Sequence, residues 1–128
     1  MMRIGVDLID AARLSRVLRK VPSLTGRCYS SRELSCATLL PAARRRDFLA
    51  GRFAAKEAVL KALRLELGNG EILRQIEVLK RDDGSPHLVL GGTAAEAAQQ
   101  LEIEGQVSIS HDGSLAYAVA MFSPRTGW

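Results

Sequence analysis

The chain has 128 residues, of which 47% are hydrophobic and 25% charged, and it carries a formal net charge of +4. That length and composition fit one domain with one buried core and exclude a disordered or fibrous chain. The positive balance favours an acidic partner, whether a phosphorylated cofactor, an acidic protein or nucleic acid, and does not choose among them. The two cysteines, Cys28 and Cys36, lack metal-type spacing and build no disulfide framework, so a reducing cytoplasm fits. Asp7 interrupts the apolar run that a signal peptide needs, and "LAYAVAMF" is too short to span a bilayer, so neither secretion nor membrane insertion is expected.

From Arg3 to Ile9 the chain alternates with a period of two, Ile4, Val6 and Leu8 on one side and Gly5, Asp7 and Ile9 on the other, which predicts a first strand. Asp10 is the expected N-cap of a helix over "AARLSRVLRK" that stops before Pro22. Ser30 and Glu33 have capping-box spacing, which predicts a short second helix ending against Pro41. Nothing breaks a helix from Ala42 to about Leu67, where Gly68 and Gly70 supply a stop. "QIEVLK" and "PHLVLG" flank the turn-rich "RDDGS" and read as a hairpin, and "TAAEAAQQLEI" reads as a helix. "QVSIS" and "LAYAVAMF" form a closing pair of strands around "HDGS", the last apolar throughout and so expected to be central. Only "SPRTGW" is expected to fray. The order predicts a single α+β domain over residues 1–128, with helices on one face of a mainly antiparallel sheet.

"GRFAAKEAVLKAL", Gly51 to Leu63, places charges inside an apolar helix. Glu57 and Lys61 share one stripe at i,i+4 among Ala50, Phe53, Ala54 and Leu60, whereas Arg52 and Lys56 fall on another face. A surface ion pair would explain Glu57 and Lys61 without any chemistry. Asp7 weighs against that simple account, because a carboxylate is out of place on a β-branched strand made for burial. Two carboxylates and a lysine would together suit a divalent cation bound to a phosphate.

These stretches resemble the holo-acyl carrier protein synthases, the small homotrimeric kind of 4'-phosphopantetheinyl transferase. "IGVDLID" resembles the family's first strand, "FLAGRFAAKEAVLKAL" its signature helix, and "VSISHD" with "AYAVA" its C-terminal strands. The resemblance implies transfer of the phosphopantetheine arm of coenzyme A to a serine of an apo acyl carrier protein, releasing adenosine 3',5'-bisphosphate. It implies Asp7 and Glu57 as Mg²⁺ ligands, with Ile9 standing where larger relatives carry a further acid. Lys61 would lie beside the phosphates, where it, a metal-bound water or Asp7 would serve as base. Arg52 and His111 would contact the coenzyme, His111 at its nucleotide end, and Lys56 is open to a purely structural ion pair. Arg13, Arg16, Arg19 and Lys20 share one arc of the first helix, with Leu14, Val17 and Leu18 opposite, and by resemblance Arg13, Arg16 and Lys20 would dock the acidic carrier protein. Homotrimers with active sites between subunits are implied as well.

The sequence departs from the family pattern after Leu63, where "RLELGNG" delays the glycine-rich loop and Asn69 replaces its threonine. Two other readings stand beside the transferase: a non-catalytic coenzyme A-binding homologue, and a small basic nucleic-acid module. With 5% aromatic residues the chain lacks the stacking platform that the module would need.

Overall fold

The computed structural model describes residues 1–126. Strand β1 (Arg3–Asp10) runs into helix α1 (Ala11–Lys20), and two short helices follow, α2 (Ser23–Cys28) and α3 (Ser31–Thr38). The long helix α4 (Ala42–Leu63) leads through α5 (Ile72–Gln75) into the hairpin β2 (Ile76–Lys80) and β3 (Pro86–Leu90). Helix α6 (Gly92–Gln100) and the hairpin β4 (Ile103–Asp112) and β5 (Leu115–Pro124) complete the domain. All strand pairs are antiparallel, in a three-stranded sheet β1-β5-β4 and a separate two-stranded sheet β2-β3. Among the described residues no helix is long and apolar enough to cross a membrane.

Local signals account for most boundaries. Asp10 accepts from the backbone N–H of Ala12 and Arg13, and Ser30 and Glu33 form a reciprocal capping box. Helix α4 ends four residues before the predicted stop. Arg64 takes the left-handed conformation, φ 58°, and the Leu65 N–H donates to the Leu60 carbonyl at 2.9 Å, closing the helix without a glycine. Helices α2 and α5 are additions to the sequence reading, being too short for periodicity to reveal. Helix α6 stops at Gln100, and Ile103 of the predicted helix instead opens β4. Of the predicted tail, Ser123 and Pro124 belong to β5, while Gly127 and Trp128 lie outside the described residues.

Helix α4 crosses the inner face of the three-stranded sheet through small side chains. Ala54, Ala55, Ala58 and Ala62 are buried on the helix, and Ala116, Ala118 and Ala120 on β5. The closest approach is at Gly5, where a Cβ would stand 2.0 Å from the Ala58 carbonyl oxygen and 2.8 Å from the Ala62 nitrogen. Backbone therefore lies on backbone, and the side chain two residues on, Asp7, is delivered directly to α4.

The predicted alternation of β1 holds, with the larger apolar side chains facing away from α4. Ile4, Val6 and Leu8 are 67%, 59% and 52% exposed. They pair across the sheet with Met121, Val119 and Tyr117 of β5, so three apolar pairs tile an open face. β5 is central, as expected, although only its alanine and Phe122 face is buried within this chain. Val17, placed with the apolar side of α1 in the sequence reading, is 42% exposed.

Gly5→Ala should cost at least about 3 kcal/mol, the upper range for overpacking, because both blocking atoms belong to backbone and cannot rotate away. Urea unfolding of the variant beside the wild type measures this.

Candidate active site

Strand β1 and helix α4 bring three of the predicted residues together. Lys61 Nζ donates to Asp7 Oδ1 at 3.1 Å and to the Val6 carbonyl at 3.0 Å. With three N–H bonds on the ammonium, one remains for a ligand. Glu57 lies one turn earlier on the same stripe, half-buried. Its carboxyl is pushed above the usual glutamate range by burial and then by the Asp7 charge, with Lys61 opposing.

Asp7 Oδ2 is buried with no hydrogen-bond partner among the described residues. A carboxylate oxygen in that position is costly unless something positive reaches it. Asp7 and Glu57 offer hard oxygen donors, the set that Mg²⁺ takes, and so fit the ion that the family resemblance implies. Among the described residues no cluster of three or more His, Cys, Asp or Glu forms, so an ion here would draw its remaining ligands from water or substrate.

Arg52 and His111 meet at a second place. A cavity of about 350 Å³ opens beside the N-terminal half of α4, lined by Arg44, Phe48, Arg52, Lys80, Gly84 and His111 among others. His111 lies near the end of β4 rather than in the turn that follows, and its Nε2 donates to the Asp47 carbonyl at 3.0 Å, leaving Nδ1 for a ligand. Gly51 gives the ring its place, since a Cβ there would stand 2.9 Å from Ile109 Cγ2 and 3.0 Å from His111 Nε2. Arg44, Arg52 and Lys80 make the wall electropositive against the single acid Asp47. Arg52 and Glu57 are five residues apart on one helix, about 7.5 Å along its axis, so an elongated ligand can engage both places.

Arg52 is largely committed to structure. Its Nε donates to the Val78 carbonyl at 3.1 Å and its Nη2 to that of Leu79 at 3.3 Å. The guanidinium carbon sits 4.0 Å from the centre of the Phe48 ring.

Lys56, left open by the sequence, is a buried ion-pair partner. Its side chain is 0% exposed, and Nζ donates at 2.7 Å to each of Glu33 Oε1, the Leu73 carbonyl and the Ile76 carbonyl. Glu33 Oε1 also accepts from the Ser30 N–H, and Oε2 from the Val78 N–H at 2.8 Å. Burial draws the lysine pKa below its usual value while Glu33 opposes the shift. Every donor of the ammonium is used, so Lys56 has nothing to offer a substrate.

Arg13, Arg16 and Lys20 are exposed on α1, which begins four residues after Asp7. A larger cavity, about 680 Å³, lies between α1 and α4 and is lined by Leu14, Leu18, Arg19 and Leu49. It holds none of the carboxylates, so size does not mark the reactive place here. In the altered loop, Gly68 and Gly70 have φ of 57° and 92°, and Asn69 Oδ1 accepts from the Glu71 N–H at 3.0 Å. Sequence reasoning missed Lys80 and Phe48 of the cavity wall, and it read Glu33 only as a cap; a neighbour brought in by tertiary packing leaves no local signal.

The family model for the 4'-phosphopantetheinyl transferase superfamily matches residues 3–120. The chain belongs to this family. It is 40% identical to the holo-[acyl-carrier-protein] synthase of Streptomyces avermitilis, over 92% of this chain and 94% of that protein. With the holo-[acyl-carrier-protein] synthase of Moorella thermoacetica it shares 38% identity, over 94% and 93% respectively. The fold is similar to the solved ACPS–CoA complex from Chronobacterium ammoniagenes, with TM-score 0.83, 32% identity and coverage of 98% of this chain and 99% of that one. Membership excludes the nucleic-acid module as the primary reading.

A carboxyl whose folded pKa is raised binds its proton more tightly folded than unfolded, so ionised Glu57 costs stability at neutral pH, and stability is regained as pH falls from the folded pKa to the unfolded one. Metal-free Glu57→Gln should therefore melt at a higher temperature than wild type at pH 7, whereas Mg²⁺ should raise the melting temperature of wild type only; differential scanning calorimetry tests both. Lys56→Met alone should cost about 3–5 kcal/mol by stranding the buried Glu33 charge, measured by chemical denaturation.

Proposed function

We propose that this chain transfers the 4'-phosphopantetheine group from coenzyme A to a serine hydroxyl of an apo acyl carrier protein, releasing adenosine 3',5'-bisphosphate. The convergence of Asp7, Glu57 and Lys61 around the unpartnered Asp7 Oδ2, within reach of a cationic cavity on the same helix, carries this reading.

Asp7 and Glu57 would hold Mg²⁺, which when bound neutralises charge at the pyrophosphate. Lys61, steadied by Asp7 and the Val6 carbonyl, directs its remaining N–H at a phosphate oxygen and stabilises charge that grows in the transition state. His111, Arg44, Arg52 and Lys80 hold the nucleotide end with its phosphates, Arg52 chiefly by the charge it adds to the wall. Anchoring the coenzyme at both ends leaves the reacting phosphorus in one orientation, which lowers the entropy cost of the transfer.

The acidic carrier protein docks on α1 through Arg13, Arg16 and Lys20. Their exposure supports this, as does the short path from α1 to Asp7, which would bring a docked serine to the metal-binding carboxylates. The open face of Ile4, Val6, Leu8, Tyr117, Val119 and Met121 supports self-association, here as a homotrimer with sites completed between subunits. The two free cysteines fit a cytoplasmic enzyme.

Intact-mass spectrometry of an apo carrier protein incubated with the chain, coenzyme A and Mg²⁺ should show the phosphopantetheine increment. Glu57→Gln should slow it by about a hundredfold or more, on the scale of losing one charge-stabilising group. No increment with several carrier proteins, despite coenzyme A binding, would favour the non-catalytic homologue. Val119→Glu should give folded monomers by sedimentation with transfer lost; a fully active monomer would overturn the shared-site reading.

A further inference from the structure

The hairpin β2-β3 reaches the cavity through its turn, yet among the described residues no strand covers the outer edge of β2. The Gly91 N–H donates to the Gln75 carbonyl and the Arg81 N–H to the Ser85 carbonyl. In an antiparallel ladder the bonded pairs alternate, so Glu77 and Leu79 turn their polar groups to β3 while Ile76 and Val78 turn theirs outward. The Ile76 N–H closes α5 on the Leu73 carbonyl, and the other outward groups with a partner among the described residues meet side chains. The Val78 N–H donates to Glu33 Oε2, the Val78 carbonyl accepts from Arg52 Nε, and the Ile76 carbonyl accepts from Lys56 Nζ. Three side chains thus stand in for a missing strand. Two of them, Arg52 and Lys56, project from α4, and Glu33 of α3 ties into the same set through Lys56.

One wall of the cavity, Lys80 and Gly84, belongs to the hairpin, and the other, Arg44, Phe48 and Arg52, belongs to α4, with His111 fixed to Asp47 of that helix. Hairpin and helix are separate elements, so the width between their charges is set by whatever fastens β2 to α4. We propose that Glu33 and Lys56, which touch no part of the cavity, are positioning residues for the nucleotide end of coenzyme A, setting the distance between Lys80 and the α4 wall. This rests on the reading of that cavity as the nucleotide site. A buried ion pair is a poor device for stability, since apolar residues of similar volume often serve as well or better, but it satisfies backbone groups that apolar residues cannot.

That difference supplies the test. The double variant Glu33→Leu with Lys56→Met keeps apolar volume and strands no charge, so it should stay folded with a smaller loss of stability than Lys56→Met alone, although the backbone groups the pair satisfied lower its melting temperature below wild type. Its KM for coenzyme A should rise about 10- to 100-fold, the scale of an ångström-sized misplacement, while kcat stays within about threefold. The Kd for adenosine 3',5'-bisphosphate, by titration calorimetry, should rise in parallel. A folded double variant with unchanged KM and Kd overturns the proposal. Wild type and His111→Ala run beside it. Binding of the bisphosphate by wild type, weakened in His111→Ala, keeps the cavity reading intact, whereas equal binding by both refutes that reading and the proposal with it. Should the double variant not fold, amide exchange of wild type decides. The bisphosphate should slow exchange of the Val78 N–H, which lies outside the cavity lining, and unchanged exchange at Val78 counts against the proposal.

Discussion

The contact of Gly5 with α4 is the constraint on which the rest of the site depends. A strand can lie this close to a helix only where the strand residue lacks a side chain, and here the Ala58 carbonyl occupies the space a Cβ would take. Once β1 is seated, its period of two sends Asp7 to the same side as Gly5, and the helical period sends Glu57 and Lys61 to meet it. Placing three charges together at that depth would destabilise the fold unless they served one another. Lys61 meets one oxygen of Asp7, the other is left without a donor, and Glu57 carries the cost as a raised pKa. That arrangement is poor design for a structural ion pair and suitable design for a site that receives a cation and a phosphate.

The same helix uses its charges in two opposite ways. Lys56 is sealed among three acceptors and fastens α3 and β2, whereas Lys61, five residues on, is half-exposed and keeps a donor free. Burial separates the roles. A fully enclosed ammonium must spend every donor on the protein, while one at the rim retains a hydrogen for a ligand. Arg52 falls between them, binding β2 through two nitrogens and adding charge to the cavity. The outer face of the sheet shows a related economy: three apolar cross-strand pairs are left open, a surface that suits another protein chain better than water.

Local chemistry was legible in the sequence. The caps at Asp10 and Ser30, the alternation of β1, the central place of β5, and the stripe shared by Glu57 and Lys61 all follow from spacing, because each depends on residues within a few positions of one another. Asp7 was legible as an anomaly, an acid on a strand built for burial, and the family resemblance supplied its partners. The errors have physical causes. The α4 stop was expected at glycines, but Arg64 adopts the left-handed conformation and the helix closes there through the Leu60 carbonyl. The central place expected of β5 holds, although its outer face is open in one chain; the apolar pattern records burial without recording by what.

By itself the sequence determined the longer elements, the family, and which residue types stand ready for phosphoryl transfer, since these are properties of periodicity and motif. Only the tertiary structure decided that Asp7 has an oxygen without a partner, that Lys56 belongs to Glu33, and that Arg52 and His111 share a cavity with Lys80. Each of these joins residues distant in the chain, and no local pattern encodes which two distant side chains will come to rest within hydrogen-bonding reach.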